Sequence, residues 1–130
     1  MGVFSDHNRQ ITCIYNSEDN RDVQTLAYIK ASEKSVHSLD IANVQLTGTQ
    51  WAELAERLNT QLCTIIDDKA IDIDKDIEHF DDSDCITILR QNPAALKGAI
   101  VFTKTKAKLV ENPSKVLEFI DADSENIKKY

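Results

Sequence analysis

Glycine and proline are scarce in this 130-residue chain, at three and two residues. Aromatic residues make up only 6%, with a single tryptophan. So few glycines leave no room for a glycine-rich phosphate loop, and no G-x-S-x-G, Walker or G-x-G-x-x-G pattern occurs. Apolar runs stop after a few residues, as in Ala99-Ile100-Val101-Phe102, which is too short to span a bilayer. The opening MGVFSDHNRQ has no apolar stretch and does not read as a secretory signal. Cysteine occurs three times, at Cys13, Cys63 and Cys85, with no C-x-x-C pair and no Cys/His cluster at metal spacing. Each is expected to be a buried small apolar residue. The sparse, odd count reads as a reduced, cytoplasmic protein.

Positive charge is also short. Lys plus Arg is 15 against 22 Asp plus Glu, a net charge of −7. Nucleic-acid binding needs a positive surface that releases counterions from phosphates, so it is excluded, as is an anionic membrane surface. An anionic substrate is disfavoured unless a local cluster of arginine overrides the global field. Arginine stands only at Arg9, Arg21, Arg57 and Arg90.

What is present is ordinary for a globular domain: 42% hydrophobic and 28% charged residues. Residues 1–130 read as one domain, with a folded region over 11–120 and a polar, flexible tail over 121–130. No repeat or linker is visible. The run Q-I-T-C-I-Y over 10–15 is β-branched and aromatic, as a strand should be. Asn16 and Ser17 follow as cap residues, and the spacing predicts a helix from about Glu18 to Ser32 with Val23, Leu26, Ala27 and Lys30 on one face. Val36, Leu39 and Ile41 mark a second strand, and the crossover makes it parallel to the first. Thr47-Gly48-Thr49-Gln50 fits a capping box ahead of Trp51, Leu54, Ala55 and Leu58 at helical spacing, ending near Asn59. Residues 62–80 fit helix or irregular structure. Asp82 or Ser83 caps a further helix over Ile86, Leu89 and Arg90, and Asn92-Pro93 opens a short turn. Residues 99–102 and 107–110 read as an antiparallel hairpin. Asn112-Pro113-Ser114 starts a last helix with Val116, Leu117 and Ile120 inward. The order β-α-β, helices, β-β-α is the layout of an α/β thioredoxin-like fold: a four-stranded mixed sheet with an all-helical insert, on which Trp51 packs.

Chemistry-bearing patterns are few. Asp72, Asp74 and Asp76 match the first positions of a calcium loop, but Ile77 stands where the turn needs glycine and Ser83 where a bidentate Glu belongs. This stretch reads as a solvated acidic face. His7, His37 and His79 lack metal spacing and read as surface residues, so no metal site is expected. Glu18 and Asp19 at a helix start complement its dipole.

The run I-Y-N-S-E-D-N-R-D-V-Q-T-L resembles the opening of glutaredoxin-linked arsenate reductases, I-L-R-Q-N-P-A-A-L-K-G-A-I-V-F their later signature, and E-N-P-S-K-V-L-E-F their last segment. The resemblance covers roughly residues 11–120 and implies a thioredoxin-like fold with a helical insert, a fold the Spx-like regulators share. It also implies a site after the first strand, where the family carries N-P-x-C with the cysteine at a helix N-terminus, a position that lowers a thiol's pKa. Here Asn16 matches, Ser17 replaces the proline and Asp19 occupies the position of the nucleophile. Val23 replaces the arginine four residues on, Gly98-Ala99 the Arg-Pro before the third strand, and Glu111 or Asn112 the arginine near the last strand. The arginine after the second helix falls near Cys63.

Asn16, Ser17, Asp19 and Asn20 are therefore a remnant active-site loop. The leading expectation is a catalytically inactive binding or regulatory module, without cofactor, whose protein or small-molecule partner is unknown. The alternative is a thiol-dependent oxidoreductase using Cys63 or a partner thiol such as glutathione. The third is an Spx-like transcription regulator acting by protein contact, ranked last because the C-x-x-C switch is missing.

Overall fold

The computed structural model describes residues 10–32, 35–67 and 80–120. The expectations for His7, His79, residues 68–79 including the acidic run, and the 121–130 tail lie outside the described residues.

Strand β1 (Gln10–Tyr15) leads to helix α1 (Asn20–Ala31) and strand β2 (Ser35–Asp40). Helix α2 (Gly48–Arg57), a 3-10 turn over Leu62–Ile65, helix α3 (Asp82–Gln91) and a 3-10 turn over Pro93–Ala95 follow. Strands β3 (Ala99–Phe102) and β4 (Ala107–Val110) come next, then a 3-10 turn over Pro113–Lys115 that continues as helix over 116–120. The sheet order is β2-β1-β3-β4. β1 and β2 are parallel, with Ile11 opposite Val36 and Tyr15 opposite Asp40. β3 runs antiparallel to both β1 and β4. This is the mixed α/β sheet read from the sequence.

Strand alternation sorts the two cores. Ile14, Ile100 and Phe102 face a layer built by Trp51, Leu54, Ile65, Cys85 and Leu89 from the insert. Ile11, Cys13, Ala99 and Val101 face the other layer, where Leu26 and Ile29 of α1 meet Val116, Phe119 and Ile120. Trp51, 1% exposed, packs in the insert as expected.

Helix α2 carries the full capping box: the Gln50 amide donates to Thr47 Oγ1 at 3.1 Å, and the Thr47 amide to Gln50 Oε1 at 2.9 Å. Leu58 is its C-cap, and Asn59 follows at φ 55°, a left-handed position asparagine tolerates. Helix α3 is capped one residue earlier than expected. Asp81 accepts from the Asp84 amide at 2.9 Å, and Asp84 accepts from the Asp81 amide at 3.1 Å. The insert is not wholly helical, since Ile66 and Leu96 form an antiparallel bridge.

Two inward faces differ from the sequence reading. On α1, Val23 is 42% exposed, with Ala27 and Lys30 also outside, while Asp22, Thr25, Leu26 and Ile29 are buried. The polar Asp22 and Thr25 complete the i, i+3, i+4, i+7 stripe, which a search for apolar spacing passes over. In the last helix Leu117 is 41% exposed and Phe119 is buried in its place.

The expectation of three unpaired cysteines is corrected. Cys63 and Cys85 form a disulfide between the first 3-10 turn and α3, 22 residues apart, leaving only Cys13 free. Folding brings the two together, and sequence spacing alone gave no sign of it. The bridge removes the argument from unpaired cysteines for a reducing compartment. No helix among the described residues is long and apolar enough to cross a membrane. Closing a loop of this length stabilises a fold by about 3 kcal/mol. Cys63→Ser is therefore expected to lower the unfolding free energy by about that amount under oxidising conditions, read from the urea midpoint; an unchanged midpoint contradicts it.

Candidate functional site: the loop after the first strand

The loop over residues 16–19 joins the carboxyl end of β1 to α1, and Asp19 is the helix N-cap. Its Oδ1 accepts from the Arg21 amide at 2.9 Å, and its Oδ2 lies 3.3 Å from the Arg21 guanidinium. The acid at the nucleophile position thus fills the cap role itself, two places beyond Ser17 and three beyond Asn16, which the sequence reading took as caps. Burial pushes its carboxyl upward, but the Arg21 side chain, amide and charge and the Asp22 amide outweigh burial and hold it below the usual range.

The other amides of the loop are engaged by the chain's own oxygens. The Asn16 amide donates to Asp22 Oδ2 at 2.9 Å, and the Ser17 amide to Asp40 Oδ1 at 3.0 Å. The Glu18 amide donates to Asn16 Oδ1 at 3.0 Å, and the Asp19 amide to the Asn16 carbonyl at 3.0 Å. Asp40, at the end of β2, also accepts from the Ala42 amide and the Asn43 side chain. Burial raises its carboxyl, and this set of donors lowers it further than burial raises it. An oxyanion in this loop would have to displace carboxylates from donors they already hold.

Asp22 is different. Its side chain is 2% exposed, and Oδ1 is buried with no partner. Burial raises its pKa to about 6, with the Asp19 charge adding to the rise and the Asn16 amide and Arg21 opposing it. Cys13, fully buried on the adjacent strand, is pushed to about 12 by burial and by the Asp22 charge. It is therefore no thiolate near neutral pH.

The sequence-named residues Asn16, Ser17, Asp19 and Asn20 do come together at this helix start. Cys63 does not supply a thiol, being in the disulfide. Arg21 turns to Asp19, with its side chain 55% exposed. Val23, at the expected arginine position, is exposed. Gly98 stands where another arginine was expected. A Cβ there would collide with the Val110 carbonyl oxygen and lie 2.8 Å from its carbon and 3.0 Å from Glu111 Cα. The close approach of β4 therefore bars any side chain at this position. The sequence reading missed Asp22 and Asp40, whose signal would have been an acid at a buried helical position and an acid closing a strand. Among the described residues no group of His, Cys, Asp and Glu could hold a metal.

Two outcomes are expected. Gly98→Ala lowers stability by about 1–3 kcal/mol, because backbone must shift to admit the methyl; an unchanged urea midpoint contradicts this. Asp22 binds its proton more tightly folded than unfolded. The stability it contributes is present below pH 4 and is lost as pH rises through about 6. Asp22→Asn therefore removes a fall of about 2–3 kcal/mol over that interval, and the difference between the two proteins' stability–pH curves checks it. Parallel curves contradict it.

No family model matches the sequence, and neither does any curated protein. Solved structures do match in fold. An arsenate reductase from Vibrio cholerae superposes with a TM-score of 0.68 at 12% identity, covering 86% of this chain and 98% of its own. A Yersinia pestis protein assigned as an arsenate reductase gives 0.67 at 17% identity, covering 83% and 98%. The YffB protein gives 0.65 at 8% identity, covering 83% and 96%. At these identities the likeness is one of fold, and the chain has the thioredoxin-like fold of the arsenate reductases.

Proposed function

We propose that this chain is an arsenate-reductase-like protein without reductase activity, acting as a binding or regulatory module. The observation that carries the reading is the loop after β1, whose amides donate to Asp22, Asp40, Asn16 and Asp19. A reductase needs a thiolate and a basic cradle at this place. Asp19 has no thiol chemistry, and its charge repels an oxyanion. Arg21 is paired to it, and Gly98 has no room for a side chain. Cys13 is free but buried and Cys63 is bridged, which leaves the alternative of a thiol-dependent enzyme without an accessible free thiol of its own among the described residues.

The test is a coupled arsenate-reduction assay with glutathione and glutaredoxin. The wild type is expected to show no turnover above background, and turnover contradicts the reading. Asp19→Cys sharpens it. A cysteine at the helix N-terminus is expected to be more acidic than a free thiol near 8.5 and to react faster with a neutral alkylating agent. It is expected to remain inactive on arsenate, because each missing arginine contact is worth about 1.5–3 kcal/mol. Restored arsenate turnover would show that a basic cradle exists at the loop.

A further inference from the structure

The two halves of the disulfide stand in different surroundings. Cys85 is fully buried on the inner face of α3, in the cluster that holds Trp51, Leu54 and Leu89. Cys63 is half-buried on the 3-10 turn, beside the exposed Thr64. Solvent therefore meets the bridge at Cys63. Thiol–disulfide exchange goes by attack of a thiolate on one sulfur while the other leaves, and access decides which sulfur is attacked. We propose that Cys63 and Cys85 are a reversible thiol-exchange site for a small thiol of cationic or neutral charge, with Cys63 as the sulfur that carries the adduct and Cys85 as the one that leaves and resolves it.

The exchange balances in two steps. A thiolate RS⁻ bonds to Cys63 Sγ, the bond to Cys85 Sγ breaks, and the electron pair leaves on Cys85 Sγ, which takes a proton. A second RS⁻ bonds to the sulfur of the adduct, and Cys63 Sγ leaves with the pair and takes a proton. Two thiols are oxidised to RSSR, and the bridge is reduced to two cysteine thiols. In the reverse direction the Cys85 thiolate attacks the Cys63 adduct, expels RS⁻ and closes the bridge again. Cys13 takes no part, since it is fully buried and held as a thiol by burial and the Asp22 charge.

Three features of the insert support reversibility. First, the reduced form has acceptors in place. Cys63 Sγ lies 3.5 Å from the Asp81 carbonyl oxygen and 3.8 Å from that of Phe80. A bridged sulfur has no proton to give them, whereas a Cys63 thiol donates there, which favours the reduced state. Second, each side of the bridge has its own anchors. The Lys97 amide donates to the Ile65 carbonyl at 2.9 Å and the Asp67 amide to the Ala95 carbonyl at 2.7 Å, on either side of the Ile66–Leu96 bridge. Helix α3 keeps its Asp81–Asp84 capping box and the buried Leu89. The bridge can therefore open while the fold stays closed around it. Third, Asp81, Asp82 and Asp84 place three carboxylates at the start of α3, where Cys63 lies. They repel an anionic thiol and attract a cationic one, which sets the charge preference.

The test follows reduction of the native full chain by cysteamine, a cationic thiol, and separately by glutathione, which is anionic, with acid quenching and mass spectrometry. The rate is expected to rise about tenfold for a tenfold rise in thiol, as direct attack requires. A bridge that opens only through global unfolding shows instead a rate that levels off at the unfolding rate. Per thiolate, cysteamine is expected to react about threefold faster than glutathione or more at low salt, with the gap closing at high salt. Cys85→Ser, which cannot resolve the adduct, is expected to hold one cysteamine on Cys63 and none on Cys13 after treatment with cystamine. Should that variant fail to fold, the wild-type kinetics and the position of the adduct in the quenched wild type decide. A rate independent of thiol concentration, an adduct on Cys85 or Cys13 in place of Cys63, or glutathione reacting as fast as cysteamine overturns the proposal. Arsenate turnover plays no part in this readout, so the two proposals can fail separately.

Discussion

The hydrogen bond from the Asn16 amide to the buried Asp22 carboxylate governs this end of the molecule. It joins the end of the central strand to the first turn of α1, on the sheet face where Leu26 and Ile29 pack. Once the carboxylate faces inward, the helix phase is set and Val23 must face solvent. Asp19 then falls at the cap, and its side chain closes on Arg21. A helix start is ordinarily an anion-binding place because its amides lack partners. Here covalently attached carboxylates occupy that role, at high effective concentration and with no entropy of association to lose.

Charge is unevenly spread. Asp19, Asp22 and Asp40 surround the loop, and Asp67 acts electrostatically on Arg21 from the insert. The disulfide is separate from the loop in its origin, since it ties the 3-10 turn after α2 to α3 within the insert.

The sequence made most of the fold legible because its signals are local. The Thr47–Gln50 box, the Trp51-Leu54-Ala55 stripe and the two short strands around 103–106 each carry their own period or cap. Failures came where a tertiary partner overrides the local pattern. Asp22 and Thr25 are polar yet inward, so α1 was phased wrongly by apolar spacing alone. Leu117 faces solvent because Val116, Phe119 and Ile120 take the inner face. Cys63 and Cys85 are distant in sequence, as are Arg57 and the 103–106 turn, and only the folded chain places them together. At the loop, Asn16 and Asp19 were legible through the resemblance, whereas Asp40 enters from another strand.

Native-state hydrogen exchange of the loop amides tests the central claim most directly. Ser17 is exposed, and an exposed loop amide without a partner exchanges at nearly the rate of an unfolded chain. If Asp22 and Asp40 hold the Asn16 and Ser17 amides, both exchange slowly, and the protection of Ser17 is lost in Asp40→Ala while α2 keeps its own. Unprotected Asn16 and Ser17 amides in the wild type would show that the donors are open, and the account of a self-filled anion loop would be wrong.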